Sequence, residues 1–524
     1  MRRLLALILC AVLVLTGCGA KNALGFHGVV RFSEMTYTRP DMDAVAQVCQ
    51  AAIDAAVEAE SVDVILEAVW DYYDAYNTFN TNYDLAFIHY HGNLEDSYWQ
   101  QEQEFCAAAA AQLEMYLEDI YYALAECPLR RELEEEYFGL DYFDAYEGGS
   151  WFDDTLVQMM EREQELISAY YDHSVQAGEE LYTQAYYDEY ALPMAQLLAD
   201  LVALRQEMAQ WVGYDSYVDF AWDYYYYRDY TPEQADVYLR KIRQELVEVY
   251  RLSNSRDVWA AGNVPCTERE LFAYVKNTAR AMGGVTEEAF RLLDQGKLYD
   301  ISASPKKSGL SFEVFLTDYY EPFVFISGTG TAYDCLTFVH EFGHFVNDYA
   351  SVGSAAGTDV MEIFSQGMEY LSLCCAQADE DFVAMKMADS LAVYVEQAAY
   401  AAFEQEIYTM TAEALTAEHL LETYAEICRS YGFDSLEWDP RDMITVPHFY
   451  SNPMYVISYV VSNDAAMQLY QMELESPGAG KAVFEAHLET EAWGLMEFLE
   501  EAGLESPFRR VGQVKELMEQ YFGS

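Results

Sequence analysis

Apolar residues recur at helical spacing over much of the chain. Val45, Val48, Ala52 and Ala55 lie three or four positions apart, and Ala107 to Ala111 with Leu113 and Leu117 repeat the pattern. Residues 42–130 are therefore expected to be helical. Residues 197–209 and 232–252 read as two more amphipathic helices. The second is opened by Thr231-Pro232-Glu233-Gln234, an N-cap followed by proline at the first helical position. Proline is scarce, and glycine gathers between the helical runs. The pattern changes at residues 311–316 and 322–327, two β-rich runs around the connection 317–321, which predict a hairpin. Gly328-Thr329-Gly330-Thr331 follows without a Gly-Lys-Ser/Thr, so it reads as a turn from strand into helix and not as a phosphate loop. The expectation is a mainly α fold with a small β-sheet beside the helix that carries residue 340.

The N-terminus follows a different rule. Arg2 and Arg3 precede an apolar run at 4–15, too short to span a membrane comfortably, and Leu15-Thr16-Gly17-Cys18 closes it. That ending resembles the lipobox of bacterial lipoproteins. The resemblance implies a signal peptide at 1–17, lipidation of Cys18, and an anchor and short linker at 18–41. The protein would then work outside the cytoplasmic membrane and touch it only through this anchor. The remaining length is enough for two or more lobes, expected at 42–232 and 233–524.

Charge narrows the partners. The chain has 89 acidic and 29 basic residues, a net of −60, which repels phosphate backbones and argues against nucleic acid. The same field draws cationic peptides towards a cleft, and it also keeps an extracellular protein soluble. Cysteine adds little: past Cys18 there is no C-x-x-C and no regular spacing, so neither a zinc ribbon nor a disulfide framework is indicated. Cys374 and Cys375 read as packed thiols. The run Tyr224-Tyr225-Tyr226-Tyr227 reads as aromatic packing at a helix surface.

The chemistry centres on His340-Glu341-Phe342-Gly343-His344. At i, i+4 both imidazoles leave one face of a helix, so a single Zn2+ can bridge them, with Glu341 beside them as a base. A third ligand is required. Gly353 and Gly357 break the chain before Asp359 and Glu362, and Glu362, Gln366 and Glu369 would share one face of the next helix. Asp359 and Glu362 also have the spacing of a capping box, which would give Glu362 to a backbone N–H. Spacing alone leaves both readings open. His89 and His91 attract no further ligands and read as surface or core histidines.

The order H-E-x-x-H, then Asp-x-x-Glu-x-x-Ser-Gln-x-x-Glu at 359–369, then Pro447-His448-Phe449-Tyr450 with Tyr455 and Tyr459, resembles the thimet oligopeptidase and oligoendopeptidase F family of zinc peptidases. Gly213-Tyr214 to Asp219 and Arg228-Asp229-Tyr230-Thr231-Pro232 fit the same family, so the resemblance spans roughly residues 200 to 510. It implies two helical lobes around a deep substrate channel and one Zn2+ per chain held by His340, His344 and Glu362. Glu341 would take a proton from zinc-bound water, and His448, Tyr455 and Tyr459 would hold the carbonyl and developing oxyanion. Asp359 and Glu369 are candidates for orienting the imidazoles. The implied activity is hydrolysis of short peptides, with residues 322–327 pairing with the peptide backbone. Asn347 and Ser462 depart from the family's usual residues but remove neither a ligand nor the base. The rival reading is a lipid-anchored peptide-binding protein with the same fold and no turnover.

Overall fold

A computed structural model describes residues 29–58, 61–146, 153–177, 183–353 and 356–523. The expected signal peptide and Cys18 lie outside the described residues. Helices α1 (Met42–Glu58), α2 (Val62–Gly92) and α3 (Ser97–Ala125) pack on one another. Their shared core holds Val45, Ala52, Ile65, Val69, Leu113 and Leu117, so the spacing expected over 42–130 is realised as three helices. Ser61 and Asp96 mark the turns between them by accepting the first free N–H groups of α2 and α3.

Helices α4 (Asp154–Ala177) and α5 (Gln184–Trp211) follow. Leu198, Leu201 and Val202 of α5 join the larger core formed by the C-terminal half, as do Tyr217 and Tyr230. That core therefore takes in segments on the N-terminal side of the division expected at 232. Helix α6 (Pro232–Glu245) has the expected cap: Thr231 Oγ1 accepts from Gln234 N–H, and Gln234 Oε1 accepts from Thr231 N–H. The helix expected over 232–252 is interrupted at Leu246 and resumes as Val247–Asn254.

The sheet has three strands, β1 (Tyr299–Asp300), β2 (Phe312–Leu316) and β3 (Glu321–Phe325), in the order β1-β3-β2. The hairpin β2–β3 is as expected, with Phe312 opposite Phe325 and Leu316 opposite Glu321. One expectation is overturned. Residues 322–327 were expected to pair with a substrate backbone, yet β3 is the central strand. Its second edge is taken by the parallel β1 at Val324 and Phe325, and every β3 residue is buried. Backbone groups already in ladders on both sides cannot bind a peptide. The two-residue β1 carries too little pattern to be read from sequence.

The sheet lies against α7 (Asp334–Ser351), which carries His340, so the mainly α fold with a small sheet beside that helix is observed. Behind α7 runs α8 (Thr358–Cys375), itself packed on α10 (Ile457–Glu475). Helix α9 (Glu380–Ala392) is described with the site below. Among the described residues no helix is long and apolar enough to cross a membrane.

His89 and His91 are on α2, the first half-buried and the second a core histidine. His89 stacks on Trp99 at 4.2 Å between ring centroids, and His91 is buried against Phe87 at 4.1 Å. Burial pushes the His91 imidazole down to about 3, and its Nδ1 has no partner. A histidine that stays neutral when folded but binds a proton near 6.5 when unfolded favours the unfolded chain as pH falls from 6.5 towards 3. The variant His91→Phe is thus expected to gain melting temperature relative to the parent over that window and to be nearly equal to it at pH 7.5. Parallel melting curves across that pH range would contradict the assignment.

Candidate active site

Helix α7 forms because Leu336, Phe338, Val339, Phe342, Phe345 and Val346 bury two faces against the sheet and neighbouring helices. Asp334 starts it: its carboxylate accepts from the backbone N–H groups of Thr329, Gly330 and Thr331, which closes the turn predicted there. Val352 and Gly353, both at positive φ, end it. The chain then reverses into α8, which is buried on nearly every side.

Gly343 decides how close the two helices come. A Cβ at this position would sit 2.6 Å from Phe364 O and 2.6 Å from Ser365 Cα, so any side chain would push α8 away. With glycine there, α8 crosses α7 and brings Glu362 against both imidazoles. Glu362 Oε2 lies 3.5 Å from His340 Nε2 and 3.8 Å from His344 Nε2. Donor atoms in a tetrahedral zinc site at ~2.0–2.1 Å from the ion stand about 3.4 Å apart, so the separations from Glu362 are near those such an ion requires. Among the described residues they are the one such group of His, Cys, Asp and Glu.

The alternative role of Glu362 as a capping-box residue is closed. The N-cap of α8 is Gly357, with no side-chain cap, and Asp359 is already inside the helix. Glu362 instead accepts from Ser365 Oγ at 2.8 Å and from the Tyr455 hydroxyl at 2.5 Å. Glu369, two turns later, places Oε1 2.7 Å from His340 Nδ1, as expected of an orienting carboxylate. Asp359 does not do this. Its carboxylate takes Ser458 Oγ at 2.5 Å and Arg228 Nε at 3.4 Å, because the second position of α8 faces α10 and not α7.

Glu341 lines the same cavity of about 230 Å3 as His340, Gln366, Glu369 and Tyr459. Burial pushes its carboxyl up to about 7, His340 opposes this, and Glu362 and Glu369 add to it. Burial disfavours a charge on His340, but Glu369 and Glu362 outweigh it and push that imidazole up to about 9. The cluster draws positive charge, as a cation site must. Burial and repulsion from His340 push His344 down to about 3.

Opposite these groups stands the segment from His448 to Tyr459. His448 is on the short helix Pro447–Ser451, and its Nε2 is 3.3 Å from the Tyr459 hydroxyl. Burial pushes His448 down to about 4 and holds Tyr459 well above its usual range, so both are uncharged near neutral pH. Tyr455, expected at the oxyanion, donates its hydroxyl to Glu362; it lies just before α10, following Met454 at φ +65°. The rings of Tyr455 and Tyr459 nevertheless meet at 5.2 Å.

Two buried arginines hold this segment, and spacing gave no role to either. Arg205 donates to the carbonyls of Phe449 and Tyr450, next to His448. Arg228 Nη2 donates to Met454 O at 2.8 Å and Ser458 Oγ at 2.9 Å, while its Nε faces Asp359. Lys386, on α9, is a third buried cation; the only sequence signal was a lysine between two methionines in an apolar helix. Asn347 donates to Leu488 O, and Ser462 Oγ accepts from Gln366, so both departures from the family pattern are packing positions.

Comparison with known proteins agrees with this geometry. Residues 32–147 match the family model of the peptidase M3 N-terminal domain. PZ peptidase A, solved with an inhibitor, superposes with a TM-score of 0.82 at 19% identity, over 94% of this chain and 99% of that one. This chain has the oligoendopeptidase F fold. A protein assigned as an oligoendopeptidase F from Bacillus anthracis gives 0.79 at 19% identity over 95% and 99% of the two chains. Oligoendopeptidase F from Enterococcus faecium gives 0.58 at 14% identity over 92% and 96%. No curated protein matches the sequence. The stretch that matches the family model takes in α1 to α3, and the H-E-x-x-H helix lies outside it.

Gly343→Ala tests the crossing. The added methyl meets backbone, so the variant is expected to lose about 1–3 kcal/mol of stability and to bind zinc more weakly, as read by thermal denaturation and metal titration. Unchanged affinity in a folded variant would show that the approach of α8 does not set the site.

Proposed function

We propose that this protein is a zinc-dependent oligoendopeptidase that hydrolyses short peptides, anchored outside the cytoplasmic membrane through Cys18. The observation that carries the reading is the meeting of His340, His344 and Glu362 at ligand spacing with Glu341 beside them. The M3 N-terminal domain and the oligoendopeptidase F fold support a peptidase, and the relatives' names support oligopeptides as the substrate class. The anchor rests on the sequence around Cys18 alone.

His340, His344 and Glu362 would hold one Zn2+ per chain. Bound there, zinc supplies a Lewis acid that makes a water acidic near neutral pH. Glu341, raised towards 7 by burial, is matched to taking a proton from that water and returning it to the leaving amine. Tyr459 lines that cavity with His448 Nε2 3.3 Å from its hydroxyl, so this uncharged pair would serve the oxyanion. Tyr455 donates to Glu362 and fixes the carboxylate's rotation, which leaves Oε2 towards the imidazoles. Gln366 ties α8 to the Tyr459 backbone at 3.2 Å and keeps the two walls in register.

Turnover of a fluorescence-quenched peptide tests the reading. A chelator is expected to abolish it and zinc to restore it. Glu341→Gln should keep zinc while losing activity by about 10²–10⁴, and Tyr459→Phe should lose about 10²–10³. A protein that binds zinc and peptide but turns over none would be the non-catalytic binder. Cleavage by Glu341→Gln at the parental rate would refute Glu341 as the base.

A further inference from the structure

A lysine is the least expected residue in the core behind the site. Lys386 is 1% exposed, flanked by Met385 and Met387 on α9. Burying an ammonium costs several kcal/mol unless it is well paired, and an apolar residue of similar volume is often as stable. A single carboxylate would balance the charge. Lys386 has two, with Nζ 2.6 Å from Glu369 Oε2 and 2.9 Å from Asp389 Oδ2, beneath the Tyr370 ring at 4.9 Å.

Each carboxylate is shared with α7. Glu369 gives its other oxygen to His340 Nδ1 at 2.7 Å. Asp389 gives its other oxygen to the hydroxyl of Tyr333, the N-cap of α7, at 2.7 Å. One ammonium therefore ties α9 to the start of the H-E-x-x-H helix and to its first histidine. A carboxylate held at one oxygen can swing about its side-chain torsions; held at both, it cannot.

We propose that Lys386 is a positioning residue for the metal site. It pins Glu369 against His340 Nδ1, so that His340 donates there and presents its Nε2 lone pair towards His344 and Glu362. This inference rests on the metal reading above and adds to it a residue paired with none of His340, His344 and Glu362. Lys386 acts through Glu369, so its effect vanishes once Glu369 no longer holds the imidazole.

The test is zinc affinity of the full chain, stripped by a chelator and titrated against a chromophoric zinc indicator, with folding checked by melting temperature. Lys386→Met is expected to weaken zinc binding by about 10- to 100-fold. Lys386→Met combined with Asp389→Asn keeps the net buried charge and serves where the single variant does not fold; the same loss is expected. Adding either change to Glu369→Gln is expected to cost nothing beyond Glu369→Gln alone. Zinc affinity within twofold of the parent in a folded Lys386 variant overturns the proposal, as does a loss that simply adds to that of Glu369→Gln. His344→Ala is the control. Should it bind zinc as the parent does, the metal reading falls and this inference with it.

Discussion

The close crossing of two helices at Gly343 is the constraint from which the site follows. One missing methyl group lets Phe364 and Ser365 of α8 rest on α7, and Glu362 arrives between His340 and His344. Every later element can be seen as holding that crossing in place. The sheet supports α7 from one side, and α10 backs α8 from the other. Tyr455 and Ser365 fix the Glu362 carboxylate once it is there.

The second requirement is electrostatic. Glu341, Glu362, Glu369 and Asp359 are all buried within two helices, in a chain already carrying a net charge of −60. Three buried cations are spent on their surroundings: Lys386 on Glu369, Arg228 on Asp359 and the Tyr455 approach, and Arg205 on the backbone beside His448. Among the described residues Glu362 has no lysine or arginine partner and faces the imidazoles of His340 and His344 instead. Removing one partner of such a buried pair typically costs about 3–5 kcal/mol, so the scaffold and the site share the same charges.

Much of this was legible in the sequence because local rules wrote it. The i, i+4 histidines, the Thr231 N-cap and the β2–β3 hairpin each depend on residues a few positions apart, and each appeared where spacing placed it. What failed to appear depends on distant parts of the chain. Nothing near residue 322 says that a two-residue strand at Tyr299 will close its outer edge. Nothing near Asp359 says that Arg228 will claim it, and nothing near Tyr455 says that its hydroxyl will go to Glu362. For Glu362, capping box and ligand were equally good locally; the helix start at Gly357 decided between them. Lys386 drew no expectation from the sequence, because its role depends on carboxylates on α8 and α9.

The account stands on one ion held by two imidazoles and a carboxylate. X-ray absorption at the zinc edge of the purified full-length protein reads that ligand set directly. It is expected to show one zinc per chain with nitrogen and oxygen neighbours at about 2.0–2.1 Å, two of them imidazole, and no sulfur. Thiolate scattering at about 2.3 Å, or an unchanged spectrum after Glu362→Ala, would contradict it.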